Sequence, residues 1–436
     1  MGLFPRGALA LVGALVASCG ASPAQPGPCM SDRECRADRI CHEGSCRFEE
    51  EVRAELDARR RALETPGGET LVDAGVVTAP DAGVPAQGSN DERPMFMGGP
   101  RHTGRTATRG PTSALRVRWV HRSGARVPAS PILGADGTVY VGSHDRSFVA
   151  LASDGTLRWR YAAGDRFYAS AAVAADGTIV VGNHDRSISA LTPQGQVRWR
   201  RVLGAPVDAS PTIDDDGTIY VAADGLWALD PATGQPRWHH TTADALRTSP
   251  AVHPQGLVIV GTTDGRVLAV RRTGELAWEA RAGASVDGGA AIGDDGTIYV
   301  GNDLGHVVAL DASGTERWRY QTEGDVRATP AIAPDGTIVV GSDDRTIHGI
   351  TPDGAPRFRV RTSGRVRASA RIDPDGRIYV GSQDDFLYAL APDGTLLFRH
   401  GLGHDVDSTC AIAPGGVLVV GADDGGVYAL EPSAPR

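Results

Sequence analysis

The chain has 436 residues, 44 basic against 53 acidic, and a formal net charge of −9; every basic residue is arginine. On a prior of about 150 residues per domain the length allows two to three domains. The acidic total, with no basic stripe along the sequence, argues against a nucleic-acid partner.

Residues 1–18 read as an export signal. Arg6 precedes an apolar run over 8–17, too short for a membrane span of about 20 residues. Val16-Ala17-Ser18-Cys19 resembles the bacterial lipobox, which implies a lipidated Cys19 as the mature N-terminus. Gly20 follows where an Asp is absent, and the likeness to Gram-negative lipoproteins then implies an outer-membrane anchor with the protein facing the periplasm. A Pro/Ala tether completes 19–28. Cys29, Cys35, Cys41 and Cys46 follow in a module over 29–46. Cysteines this dense in an exported chain predict two disulfides. Three connectivities are open, and the crossing one, Cys29–Cys41 with Cys35–Cys46, is favoured. A four-cysteine zinc site is the alternative, weakened by the lack of any Cys-x2-Cys pair.

The segment 47–93 is charged and helix-permissive over 49–64, with pairs such as Glu55 and Arg59 one helical turn apart. It then becomes a Gly/Ala/Pro-rich linker over 65–90.

From 94 to 432 the chain repeats itself. A closing aromatic recurs at Trp119, Trp159, Trp199, Trp238, Trp278, Trp318, Phe358 and Phe398, in steps of 40, 40, 39, 40, 40, 40 and 40 residues. A fixed period of this size means one supersecondary unit copied along the chain. Each copy holds four short apolar runs between Gly/Asp turns, in the first copy 130–133, 138–142, 147–151 and 157–161. These predict antiparallel strands A, B, C and D. A carries Pro131, Pro211, Pro250 and Pro330 and should be an edge strand. B is apolar on successive residues, as for a strand buried on both faces. D alternates, with Leu157, Trp159 and Tyr161 against Arg158 and Arg160, as for a half-exposed outer strand. The expected fold is all-β: an eight-bladed propeller of four-stranded antiparallel blades. The strand at 116–121 precedes any A, and the last C at 426–431 has no D after it. The N-terminal strand should therefore complete the last blade and close the ring.

The pattern SPxI, DGTxYVG and ALxxDGTxRW resembles the pyrroloquinoline-quinone (PQQ)-type propeller repeat, and Pro94–Gly104 resembles the lead-in of such proteins. The family includes quinoprotein dehydrogenases and the propeller lipoprotein of the outer-membrane barrel-assembly machinery. The resemblance implies either a non-catalytic envelope scaffold or a cofactor-using oxidoreductase. The first is the expectation: a monomeric, lipid-anchored, protein-binding propeller without cofactor, metal or catalytic residues, with outer-membrane protein assembly as the implied process. A PQQ-dependent or other cofactor-using oxidoreductase, or a carbohydrate- or ligand-binding propeller, is the alternative. Quinoprotein dehydrogenases are known for a disulfide of adjacent cysteines beside the cofactor, whereas this propeller has Cys410 alone, expected as a buried small side chain.

Sites should lie where copies deviate. The Asp residues of the A–B turns, such as Asp136 and Asp214-Asp215-Asp216, lack the spacing of a calcium loop and read as hairpin residues. His144 and His184 sit one repeat apart, too distant on adjacent blades to share an ion, and read as turn residues. Just before each A strand one position changes from copy to copy: Pro128, Tyr168, Asp208, Arg247, Asp287, Arg327, Arg367 and Asp407. The residue before it is always apolar, from Val127 to Val406, and is expected between blades. Tyr168 to Asp407 thus form a candidate binding ring at one end of the channel, on the face of the D–A and B–C loops. Two readings stand: recognition of a partner, since Arg and Tyr are typical interface anchors, or mutual neutralisation, since Asp208, Arg247, Asp287 and Arg327 alternate in sign.

Overall fold

The computed structural model describes residues 39–42, 45–48 and 92–433. The chain divides into two units, Met1–Val72 and Asp73–Arg436. In the first, Arg39–His42 pairs with Ser45–Phe48 in an antiparallel hairpin whose register sets Cys41 opposite Cys46. Cys19, Cys29 and Cys35, the export signal, the tether and the charged segment and linker up to residue 91 lie outside the described residues, as do the side chains of Cys41 and Cys46.

The second unit is an eight-bladed propeller, each blade a four-stranded sheet in the order A-B-C-D. Blade 1 consists of Ile132–Leu133, Val139–Gly142, Ser147–Leu151 and Leu157–Ala162. Blade 8 is Ala411–Ala413, Val417–Gly421 and Gly426–Pro432, completed by Leu115–Arg122 from the start of the repeat region. The ring is therefore closed by its N-terminal strand, as the staggered register predicts. Strands B and C are buried along their length, and D is largely exposed.

Strand A is shorter than its apolar run. Pro131 has no N–H to give, and the Ser130 N–H leaves the sheet to donate to Ser170 Oγ of the next blade at 3.0 Å. The same bond recurs from Ser170 to Ser210, Ser210 to Ser249, Gly289 to Thr329 and Thr329 to Ser369. Thr409 to Ser130 carries it across the closure. The hydroxyls that open the A strands are a girdle around the channel.

The outer seams use the closing aromatic. Each indole Nε1 donates to a carbonyl in the next blade's C–D turn: Trp119 to Ser153 at 2.9 Å, Trp159 to Pro193 at 2.7 Å, Trp318 to Pro352 at 2.8 Å. The ring lies on that turn's glycine. A Cβ on Gly195 (φ +79) would stand 2.6 Å from the Trp159 ring. Phe398 replaces Trp ahead of blade 8, whose C–D connection is not a turn but the meeting of the two chain ends. Opposite every closing aromatic the C–D ladder carries a bulge, with Ala150 paired to Trp159 and Leu151 to Leu157, which leaves Arg158 as the extra residue.

Candidate functional site: the mouth of the channel

The two ends of the channel are built differently. At the A–B/C–D end the lead-in winds around the axis and bonds the inner edges in turn. Pro94 O accepts from Val173 N at 2.8 Å, Pro100 O from Val252 N at 2.7 Å, Arg101 O from Ile292 N at 2.9 Å, Thr103 O from Ile332 N at 2.8 Å and Gly104 O from Ile372 N at 2.9 Å. An edge strand is a row of unpaired groups, and the lead-in satisfies it on five blades. Two of its arginines clamp one carboxylate: Arg101 Nη1 lies 2.9 Å and Arg105 Nη1 2.8 Å from Asp294. Burial alone would raise the Asp294 carboxyl, but these bonds overcome it and hold it below the ordinary value. Asp294 is thus more than the hairpin residue its turn suggests. The neighbouring Asp295 does take the turn role, accepting from Thr297 N at 2.9 Å, as Asp136 does from Thr138.

Above the lead-in, Phe96 and the hydroxyl girdle line a chamber of about 170 Å³ that opens between all eight ring positions, Pro128 to Asp407. His102 lies beneath, fully buried, with Nδ1 3.2 Å from Ala290 O and its ring edge-on to Phe96. Burial lowers its pKa to about 4, so it is neutral at physiological pH.

The ring positions are aimed from below. The apolar residue before each is buried, from Val127 to Val406. On seven blades it packs on the glycine that ends strand B of the preceding blade; on the eighth, ahead of Leu246, that strand ends in Ala222. A Cβ on Gly301 would meet Val326 Cγ1 at 2.4 Å, and one on Gly341 would meet Val366 Cγ1 at 2.4 Å. The glycine of the YVG motif is small because the loop that carries a ring residue rests on it.

The ring charges are braced by a second tier. Arg367 Nη2 donates to Asp343 at 2.8 Å, and Arg327 lies 3.5 Å from Asp303 and 2.8 Å from Asp325. His184 Nδ1 lies 2.8 Å from Asp208, and Gln383 Nε2 donates to both carboxylate oxygens of Asp407. Burial pushes the Asp407 carboxyl up despite that amide. His184, Asp343 and Gln383 stand in the preceding blade's B–C loop, 24 residues before the ring residue each holds. Asp303 keeps that spacing at 3.5 Å from Arg327, whose hydrogen bond goes to Asp325 in its own loop, and Asp287 accepts from Ser285, also two residues before it, at 2.8 Å. Tyr168 obeys the 24-residue spacing with an aromatic brace: His144 meets it edge-on at 4.4 Å, His184 at 5.7 Å, and Arg166 stacks at 5.5 Å. Both histidines thus pack against one ring residue. Burial, with Arg126 and Arg166 nearby, lowers the His144 pKa to about 4.

Arg247 is the exception. It is exposed and makes no hydrogen bond or salt bridge to any described residue. Blade 3 is the repeat one residue short, and its B–C connection runs from Ala222 to Gly225 where blade 2 runs from Gly182 to Ser187. Ala223 takes the place of Asn183, its carbonyl accepting from Leu246 N as Asn183 O does from Val207 N, and the shortened loop has no counterpart of His184. The offset was readable in the sequence: Asp faces Arg twice, and His faces Asp. Cys410 lies apart from this site, buried among Ile412 and Val420, with its thiol pushed up to about 12 by burial.

A family model described as outer membrane protein assembly factor BamB matches residues 149–285 and 269–365. Among solved structures, BamB from Moraxella catarrhalis is 18% identical and aligns over 73% of this chain and 100% of its own, with a TM-score of 0.61. A europium-containing methanol dehydrogenase is 13% identical over 77% of this chain and 91% of its own (TM-score 0.65). Quinohemoprotein alcohol dehydrogenase from Comamonas testosteroni is 13% identical over 79% and 82% (TM-score 0.67). At these identities the likeness is one of fold, and it takes in scaffold and enzyme alike. No curated protein matches the chain by sequence. Strand order, ring closure, repeat pattern and family match agree: the propeller of this chain belongs to the PQQ-like β-propeller repeat family.

Proposed function

We propose that this propeller is a non-catalytic protein-binding scaffold of the bacterial envelope, held at the outer membrane by a lipid on Cys19, with the channel mouth as its recognition surface. The observation that carries the reading is the contrast within the ring. Arg327, Arg367, Asp208 and Asp407 are held by their own braces, which presents a pre-organised charge pattern, while Arg247 and Tyr168 offer an unengaged guanidinium and an aromatic face at the same opening. Pre-organised charges with an Arg and a Tyr are suited to an interface. The alternating charges do neutralise, but through the second tier, so neutralisation and recognition are compatible.

The residues of the channel do not fit a quinone cofactor. The chamber of about 170 Å³ is floored by Phe96 and falls below the roughly 300–1,000 Å³ of small-molecule sites. Its three carboxylates, Asp208, Asp407 and Asp287, are committed to His184, Gln383 and the Ser285 hydroxyl. Assembly of outer-membrane proteins is the process the scaffold reading points to, through the family's BamB-like members.

The test is site-specific photocrosslinking in the native envelope from positions Tyr168 and Arg247, with Asp335 on the opposite face as control. The reading expects one protein to be captured from both mouth positions and not from Asp335. Capture from Asp335 alone would move the surface to the other end.

A further inference from the structure

Nine large apolar side chains are exposed among the described residues, and seven of them stand on the outer strands of four adjacent blades, 7, 8, 1 and 2. Four are equivalent by position. Leu396, Val117, Leu157 and Val197 each lie two residues before the closing aromatic, and they are 40%, 46%, 43% and 49% exposed. They form an aliphatic step at one height around a quarter-turn and more of the rim. The same position holds Pro236, Glu316 and Pro356 on blades 3, 5 and 6. Scattered single apolar residues need no explanation, but one position left aliphatic and exposed on four neighbouring blades does.

Three of these four blades, 8, 1 and 2, are also rich in arginine on the same strands. The outer strands Leu115–Arg122, Leu157–Ala162 and Val197–Val202 together hold eight arginines and no acidic residue. In sequence they are 40 residues apart and make no basic stripe; the fold lines them up. Carboxylates meet six of the eight: Glu431 faces Arg116 and Arg118, Asp424 faces Arg122, and Asp136, Asp176 and Asp185 meet Arg158, Arg198 and Arg200 at 2.6, 2.7 and 2.9 Å. Arg160 and Arg201 make no salt bridge to any described residue. A chain of net charge −9 thus carries an arginine-rich, aliphatic rim.

We propose that this rim, over blades 7, 8, 1 and 2, docks on the headgroup zone of an anionic lipid bilayer. The chemistry is complementary on both counts. Aliphatic side chains at one height can enter the acyl boundary while guanidinium groups bond phosphate oxygens. The half-buried indoles of Trp119, Trp159 and Trp199 stand two residues further on, and Trp is the residue type enriched at membrane interfaces. The expected anchor at Cys19 lies 73 residues before Glu92, which keeps a bilayer within reach of the chain. The proposal leans on the anchor only for proximity, so its test omits it.

The mature chain from Gly20, expressed without signal or lipid, is co-sedimented with vesicles of phosphatidylglycerol and phosphatidylethanolamine, and with vesicles of phosphatidylcholine alone. The proposal expects at least about tenfold stronger partitioning onto the anionic vesicles, and a loss of about tenfold or more for Arg160→Glu with Arg201→Glu. Val117→Ser with Val197→Ser lowers the part of the binding that survives high salt. Leu276→Ser, at the same register position on blade 4 but followed by Ala277, leaves binding unchanged. All variants should melt like the parent, since the side chains are exposed or half-exposed. Equal partitioning onto both vesicle types, or partitioning that no rim variant moves, would overturn the proposal. So would rim variants that release a crosslinked envelope protein while anionic vesicles bind no better than phosphatidylcholine; the surface would then be a protein interface. Failure of Cys19 to anchor the cell's own protein would refute the lipid reading and leave this measurement untouched.

Discussion

The two ends of the channel solve opposite problems. At the A–B/C–D end the lead-in meets backbone: five A strands present the same N–H at the same place, and one passing segment satisfies them in turn. At the D–A/B–C end, side chains meet side chains, and residues vary in complementary pairs 24 apart. Backbone pairing asks little of residue identity, so the closed end can be built from near-identical repeats. The open end can change its charge pattern blade by blade, provided each brace changes with its partner. Variation is thereby concentrated at the mouth, the end a partner would meet.

The largest effect expected is on the ring that carries both ends. Deleting Leu115–Arg122 strips the last blade of its outer strand and should abolish cooperative unfolding in a thermal melt; an unchanged midpoint would refute closure. Next is the closed end. Asp294→Ala leaves the largely buried Arg101 and Arg105 without their carboxylate and should cost about 3 kcal/mol in denaturant titration, with partner capture retained. If capture fell as well in a folded protein, the two ends would not be independent. At the mouth, Gly341→Ala forces a Cβ to within 2.4 Å of Val366 Cγ1 and should cost about 2 kcal/mol. A neutral result would mean that the loop bearing Arg367 is not seated on that glycine.

The smallest effect belongs to the turns of the closed end. The hydroxyl of Thr138, followed by Arg158, holds Asp136 down to about 2, and Thr178 and Arg198 do the same for Asp176. A carboxyl depressed in the folded state stabilises fully above its ordinary 3.8 and loses that contribution as pH falls through about 2. The melting midpoint should therefore decline between those values, and Asp136→Asn should flatten part of the decline. A parallel decline in both proteins would show that the turn carries no linkage.

The architecture was legible because the period is short and the closing aromatic rarely fails; the missing D after the last C even disclosed how the ring closes. The mouth positions were legible as the places where copies disagree. Their bracing was not, because it joins a B–C loop to the following D–A loop, and nothing inside one repeat marks Asp343 and Arg367 as neighbours. The lead-in's path escaped for a different reason. Its bonds are made by backbone carbonyls, which leave no signature in residue type. The arginine rim was hidden by the 40-residue spacing that the propeller converts into adjacency. Cys19, Cys29 and Cys35 lie outside the described residues, and the expectations for them are tested chemically.

The central claim is that the mouth is both self-braced and the surface a partner recognises. Exchanging one brace separates the two. Arg367→Asp alone sets a second carboxylate against Asp343 and should lower the melting midpoint; adding Asp343→Arg restores an ion pair of opposite sense at the same place. The decisive measurement is photocrosslinked capture from position 247 in that double variant, beside its melting curve. The account predicts recovered melting and lost capture, because the bracing is intact while the charge offered at the opening is reversed. Recovered melting with undiminished capture would contradict the account, because the braced charge at Arg367 would then serve only to hold the ring together and would not be what the partner reads.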